Sequence, residues 1–288
     1  MPNEYRVGPI YHAGLLVSGG MCAGLGIAIL VAQALHRMPD TNLLPASVPT
    51  PPAAALGFAA CGLALIGIGL WFPRITSLLT MVTLSMVISL VAERVVGAGP
   101  RVETLIAASL RVADWSGVAP NTLAVLLFGT AALSLRHTCR WFEKRLGAIA
   151  ILGSIVFAIG VVASMGYITG VPTYVWQPGA PMSFLSAICS CVLGLGIIMS
   201  ACRYSELDES GRPRWFSLAV CAGALTINLT TVVAYLCAGG QTWKRAEVIG
   251  LLPMMIISGL LAALAARQVR RQGASIPTTV SPPGVRGF

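Results

Sequence analysis

Leu146-Gly-Ala-Ile-Ala-Ile-Leu-Gly-Ser-Ile-Val-Phe-Ala-Ile-Gly-Val-Val-Ala-Ser-Met-Gly-Tyr167 carries no charge. At about 1.5 Å of rise per residue, a helix of about 20 such residues crosses a hydrocarbon core of about 30 Å. Residues 215–237 form a second uncharged run of the same kind. Both sit in a 288-residue chain that is 56% hydrophobic and only 10% charged, with a mean hydropathy of +0.81. Soluble domains carry about 25% Asp, Glu, Lys and Arg, and no globular surface could be clothed with so few charges. The composition excludes a soluble enzyme, a nucleic-acid binder and a disordered chain. The formal net charge of +9 reads as membrane topology rather than as affinity for nucleic acid.

Apolar runs between polar breaks predict eight spans, at residues 11–35, 52–71, 75–92, 119–135, 146–167, 182–201, 215–237 and 248–266. Only Phe72-Pro73-Arg74 separates the second from the third, and this predicts a tight turn. With both termini cytoplasmic, 13 of the 19 Lys and Arg residues fall on the cytoplasmic side, the expected direction of bias. A seven-span alternative would put the basic C-terminal tail outside. The predicted fold class is all-α: a polytopic membrane helix bundle of eight transmembrane helices arranged as four hairpin repeats. This integral membrane domain covers residues 1–270, and a disordered cytoplasmic tail rich in Pro, Gly and Ser covers 271–288.

The repeat rests on the even spans, which carry Gly62-Leu-Ala-Leu, Thr130-Ala-Ala-Leu, Gly194-Leu-Gly-Ile and Gly259-Leu-Leu-Ala at intervals of 64 to 68 residues. Pro52 and Pro120 precede the first two small residues by ten positions. Proline suits a helix's first turn, and ten helical residues rise about 15 Å, which takes the small residue to mid-bilayer. There it lets neighbouring backbones approach. The first apolar run is too long for a signal peptide and lacks a cleavage site, so it is expected to be a retained span. In the 96–118 loop, Val102, Leu105, Ile106 and Ala113, with Leu110 beside them, share one helical side. They predict a short amphipathic helix on the outer leaflet. Seven of the eight cysteines lie in or beside apolar runs without Cys-x-x-Cys spacing, which predicts packing rather than metal binding.

Three stretches carry a resemblance to a known kind of module. Pro120-Asn-Thr-Leu-Ala-Val-Leu-Leu-Phe-Gly-Thr-Ala-Ala-Leu resembles the proline-led, glycine-centred helix of the N-terminal membrane sensor module of bacterial sensor histidine kinases and diguanylate cyclases. Pro181-Met-Ser-Phe-Leu-Ser-Ala-Ile-Cys-Ser-Cys-Val-Leu-Gly-Leu-Gly resembles its later copy, and Gly166-Tyr-Ile-Thr-Gly-Val-Pro-Thr-Tyr the aromatic connector before that copy. The amphipathic stretch with Asp114-Trp115 sits where such modules carry a short extracytoplasmic helix. The resemblance covers most of residues 45–205 through Leu/Gly/Ala patterns of moderate specificity. It implies sensing of something in or near the membrane and transmission to a cytoplasmic kinase or cyclase. About 20 residues follow the eighth span, too few for a phosphotransfer helix, an ATP lid or a cyclase. The expectation is a stand-alone sensor-like module without an output domain.

The chemistry-bearing residues are few. His12 and His36 lie at opposite ends of the first span and His137 in a loop, so no pair matches in depth to ligate a haem. Span centres lack carboxylates for a zinc or di-iron site. No nucleophile is paired with a base, and no glycine loop cradles phosphate. No catalytic residue, metal or cofactor is therefore expected. Arg94, beside Glu93 at the outer end of the third span, can take an anionic or polar ligand or simply snorkel to the headgroups. The outer aromatics Trp115, Tyr167, Tyr174, Trp176 and Trp243 suit an interfacial belt. Within it, Trp115, Tyr174 and Trp176 are candidate ligand-binding residues, the last two as a lid over a quinone, a lipid or a small apolar signal. Asn228, in mid-span, must hydrogen-bond within the bundle or line a polar site, and it completes the candidate ligand set with Arg94. Candidate partner contacts are Arg136, Arg140, Trp141, Lys144 and Arg145, in the basic loop after the fourth span.

The favoured reading is a non-enzymatic sensor-like protein of a bacterial cell inner membrane, multi-pass, with both termini cytoplasmic. Besides the lipid bilayer, its expected partner is a separate cytoplasmic kinase or cyclase, or other membrane subunits. Two alternatives stand beside it. Hairpin repeats and Asn228 permit a small-molecule transporter or channel subunit. The glycine-rich helices permit a structural accessory subunit of a larger membrane complex.

Overall fold

A computed structural model describes residues 9–35, 48–96, 101–109, 117–136, 142–171, 173–176, 180–205, 213, 215–237, 259–260 and 264. The protein is all-helical, with α1 at Pro9–Ala34, α2 at Pro52–Gly69, α3 at Pro73–Val96 and α4 at Arg101–Ser109. Then come α5 at Pro120–Leu135, α6 at Phe142–Thr169, α7 at Phe184–Cys202 and α8 at Phe216–Cys237. Six of these helices, α1, α2, α3, α6, α7 and α8, are long and apolar enough to cross a membrane, which makes this a multi-pass membrane protein. The fourth predicted span forms the shorter α5, whose 16 residues rise about 24 Å. The span expected at 248–266 lies outside the described residues except for Gly259, Leu260 and Leu264, and the 271–288 tail lies wholly outside them.

The helices pack in two layers. At the centre α2, α5 and α7 touch one another. Around them, α1 lies between α2 and α7, α3 between α2 and α5, and α6 between α5 and α7, while α8 touches only α6 among the described helices. Apolar transfer cannot drive this assembly, because lipid is as apolar as leucine, so close packing must. The central trio packs by leucines seated on glycines. Leu126 of α5 covers Gly57 of α2, Leu193 of α7 covers Gly129 of α5, and Leu65 of α2 covers Gly196 of α7. All three leucines are fully buried. On α3, which has no glycine, Thr76, Thr80 and Thr83 face inward and return their hydroxyl protons to carbonyls three or four residues back.

Local chemistry sets the helix ends. Proline opens α2 and α5, and the Ser183 side chain accepts the Ser186 N–H at the start of α7. The turn between α2 and α3 falls at Leu70–Phe72, earlier than the expected Phe72-Pro73-Arg74, because Pro73 itself opens α3. The Phe72 N–H closes that turn on the Gly67 carbonyl at 2.8 Å, the long bond of a Schellman motif. The left-handed position inside it, ordinarily glycine, is Trp71 with φ 61°. A side chain there costs roughly 1–2 kcal/mol. The expected amphipathic helix is α4, and it docks on α2 and α3 through Val102, Glu103 and Ile106. Leu105 points away, 70% exposed, because it lies about 100° round the helix from Ile106, which faces the bundle. Leu110 and Ala113 lie outside the described residues.

Candidate functional site

The starts of α2, α5 and α7 and the ends of α1, α3 and α6 meet at one end of the bundle, where buried polar groups gather. The Gln33 amide donates to the Thr50 carbonyl at 2.6 Å, and the Thr50 and Ser183 hydroxyls meet at 2.7 Å, joining α1, α2 and α7. Ser183 also reaches the Ser186 hydroxyl at 2.8 Å. Asn121, fully buried at the start of α5, donates to the Tyr174 carbonyl at 2.9 Å. The Tyr174 ring stacks on Tyr167 at 4.0 Å and 10°, and the Tyr167 hydroxyl donates to the Met182 carbonyl at 2.6 Å. These bonds satisfy all but one polar atom of the group: Gln33 Oε1 is buried and has no hydrogen-bond partner. A buried acceptor without a donor is costly, about 1–3 kcal/mol, and asks for an occupant.

Charged residues clamp α4 over the same end. Glu93 Oε1 accepts the Val102 N–H at 2.8 Å, Glu103 Oε1 accepts the Val118 N–H at 2.9 Å, and Arg94 Nη2 donates to the Val118 carbonyl. Burial pushes the Glu103 carboxyl above its ordinary value; the Val118 N–H and Arg94 oppose this, and Glu93 adds to it. A carboxyl raised in the docked state binds its proton more tightly there than when undocked. Its contribution to docking is therefore present below the ordinary value and lost as pH rises through the docked one. Amide exchange at Val118 and along α4, corrected for intrinsic rates, should quicken as pH rises above the ordinary carboxylate range and through the raised Glu103 value. Glu103→Gln should flatten that response, because it keeps the acceptor and removes the charge. An unchanged response in the variant would assign the pH dependence to another group.

The structure brings together only part of the predicted ligand set. Arg94 and Tyr174 lie on either side of the 117–121 segment, Arg94 through Val118 and Tyr174 through Asn121. Trp176 is half-buried and packs on the main core. Asn228 stands apart on α8, its amide donating to the Ala224 carbonyl of its own helix at 2.9 Å. Trp115 lies outside the described residues, as do Arg140, Trp141 and the side chain of Lys144. Of the remaining predicted partner contacts, Arg145 donates to the Leu135 carbonyl at 3.4 Å. Arg136 turns inward, its guanidinium carbon 4.3 Å from the Tyr204 ring centre. Sequence reading missed Gln33, Thr50, Asn121, Ser183 and Glu103. Ser183, three residues before Ser186 at the head of an apolar run, carried a readable capping signal. Among the described residues no three His, Cys, Asp or Glu side chains are grouped to hold a metal ion, and the seven described cysteines are free thiols. Compared with protein-family models, curated proteins and solved structures, the chain matches none.

Proposed function

We propose that this is a non-enzymatic, sensor-like protein of a bacterial inner membrane, built as four helical hairpins with both termini cytoplasmic. It receives a membrane-borne or extracytoplasmic signal at the Gln33–Ser183 end and acts through a separate cytoplasmic kinase or cyclase. The observation that carries the reading is the unpartnered Gln33 Oε1, inside a polar group tied to three helices and adjoining the 173–176 loop and α4. A ligand that donates to this oxygen would touch α1 directly and α2 and α7 through Thr50 and Ser183. Its occupancy is thereby coupled to the helices that run to the opposite end. The resemblance to sensor modules points the same way, and so does the basic loop at 136–145 as a docking surface. The leucine-on-glycine contacts leave the centre of the trio close-packed, which weighs against conduction.

Affinity purification from native membranes in mild detergent tests the reading. A kinase or cyclase is expected to co-purify, and to be lost when Arg140 and Lys144 become glutamine. Isolation of the protein without either enzyme would overturn the signalling role.

A further inference from the structure

At the opposite end of the bundle, two arginines gather without a counter-charge among the described residues. Arg136 caps the end of α5 and Arg203 the end of α7. Both guanidinium carbons lie within 5.4 Å of the centre of the same Tyr204 ring, and Arg203 is also 5.3 Å from the Trp71 ring. Trp71 and Tyr204 meet edge to face at 6.1 Å. Helix C-termini attract cations, and Arg203 Nη1 reaches the Gly69 carbonyl at a long 3.4 Å. That accounts for little of the donor capacity, since a guanidinium carries five N–H groups. Arg203 Nε is buried and has no hydrogen-bond partner. Among the described residues no carboxylate lies in ion-pair contact with either arginine. Burial pushes Arg136 below its ordinary value; Tyr204 opposes this and Arg203 adds to it.

Two like charges gathered at one tyrosine ring, half-buried, with Arg203 Nε unpartnered, call for an anion beside them. Planar guanidinium forks match the oxygens of a phosphate, and aromatic faces fix their planes in advance. Trp71 holds its indole there from a strained left-handed backbone, a conformation that persists only where the surroundings enforce it. Beside the arginines, Leu70, Trp71 and Phe72 are 48%, 67% and 53% exposed, an apolar shelf of the kind an acyl chain covers.

We infer that Arg136 and Arg203, held against Tyr204 and Trp71, form a binding site for a phosphate group presented by an anionic phospholipid headgroup. The inference does not rest on the sensor reading, since it concerns the other end of the bundle and needs no signal. Native mass spectrometry of the full chain in mild detergent tests it, with phosphatidylglycerol and phosphatidylcholine of identical chains as probes. Phosphatidylglycerol should be retained about tenfold more strongly, the scale of a charge-assisted pair. Arg203→Gln and Arg136→Gln should each remove most of that preference, while the exposed Arg74→Gln, an equal loss of charge, should keep it. If headgroup preference is absent but inorganic phosphate raises the thermal midpoint of wild type and not of Arg203→Gln, the site stands and its phosphate comes from solution. Equal retention of both lipids by wild type together with no phosphate response would overturn the inference, even if the arginine variants fail to fold. Undiminished preference in a folded Arg136→Gln/Arg203→Gln protein would overturn it as well.

Discussion

Gly62→Ala and Gly194→Ala are expected to destabilise the protein by about 3 kcal/mol each. Gly20→Ala and Gly24→Ala, on the outer face of α1, should stay within about 1 kcal/mol of wild type. The contrast follows from what an added methyl would meet. At Gly62 it would stand 2.7 Å from the Gly19 carbonyl oxygen and 2.9 Å from the Ala23 Cα. At Gly194 it would stand 2.5 Å from the Phe157 nitrogen and 2.8 Å from the Gly153 oxygen. Every one of these neighbours is backbone, so no rotamer change can relieve the clash and the helices must move apart. At Gly20 and Gly24 no atom of the described residues lies within 4 Å. Separation is expensive in lipid, because close packing, not apolar transfer, holds these pairs. Reversible unfolding in mixed micelles measures all four. Similar losses at the inner and outer glycines would mean that α1/α2 and α6/α7 do not meet backbone to backbone.

The same contacts show what the sequence could and could not tell. That the chain spans a membrane, and where its described helices lie, was legible because charge is so costly in hydrocarbon that polar breaks mark interfaces. The small residues in the even spans were legible as contact points, and Gly62 and Gly194 do sit at helix seams. Their partners carried a signal of their own. Gly19 and Gly26 on α1 face Gly62 and the Ala55/Ala59 pair of α2, and Gly153 and Gly160 on α6 face Gly194 and the Ala187/Cys191 pair of α7. A glycine pair seven residues apart in both the first and the fifth span was there to be read. No comparable pattern marks α3, where back-bonded threonines take the glycines' place, and nothing in its composition says that it borders α2 and α5. The polar end was illegible for a different reason. Gln33, Thr50, Asn121 and Ser183 lie far apart in sequence and look like ordinary interfacial residues until the trio of helix starts brings them together. Arg136 was legible as a cation but not as one turned inward, because that depends on a tyrosine two helices later in the chain.

Leu126→Ala tests the central trio itself, and its expected cost is about 2 kcal/mol, at the low end of the range for leucine truncations in water-soluble cores. The reduction has a physical origin. In water, part of the loss is the transfer of a butyl group out of the aqueous phase, whereas here the separated helix keeps Leu126 in lipid. What remains is the packing lost when a fully buried side chain is removed from over Gly57. That remainder can be partly restored from the other side. A methyl on Gly57 would stand 2.8 Å and 3.0 Å from the two Leu126 methyls, so Gly57→Ala alone overpacks the contact. Placed with Leu126→Ala, it enters the space the leucine has left. The double variant should therefore be more stable than Leu126→Ala alone by about 1 kcal/mol, and because Gly57→Ala alone destabilises, the coupling is larger still, within the range for residues in direct contact. Gly24→Ala, which touches nothing, should add to Leu126→Ala without coupling. Zero coupling at Gly57 would separate α5 from α2. With that contact gone the cycle of leucines on glycines would be open, and the close-packed centre that weighs against a conducting path would lose its support.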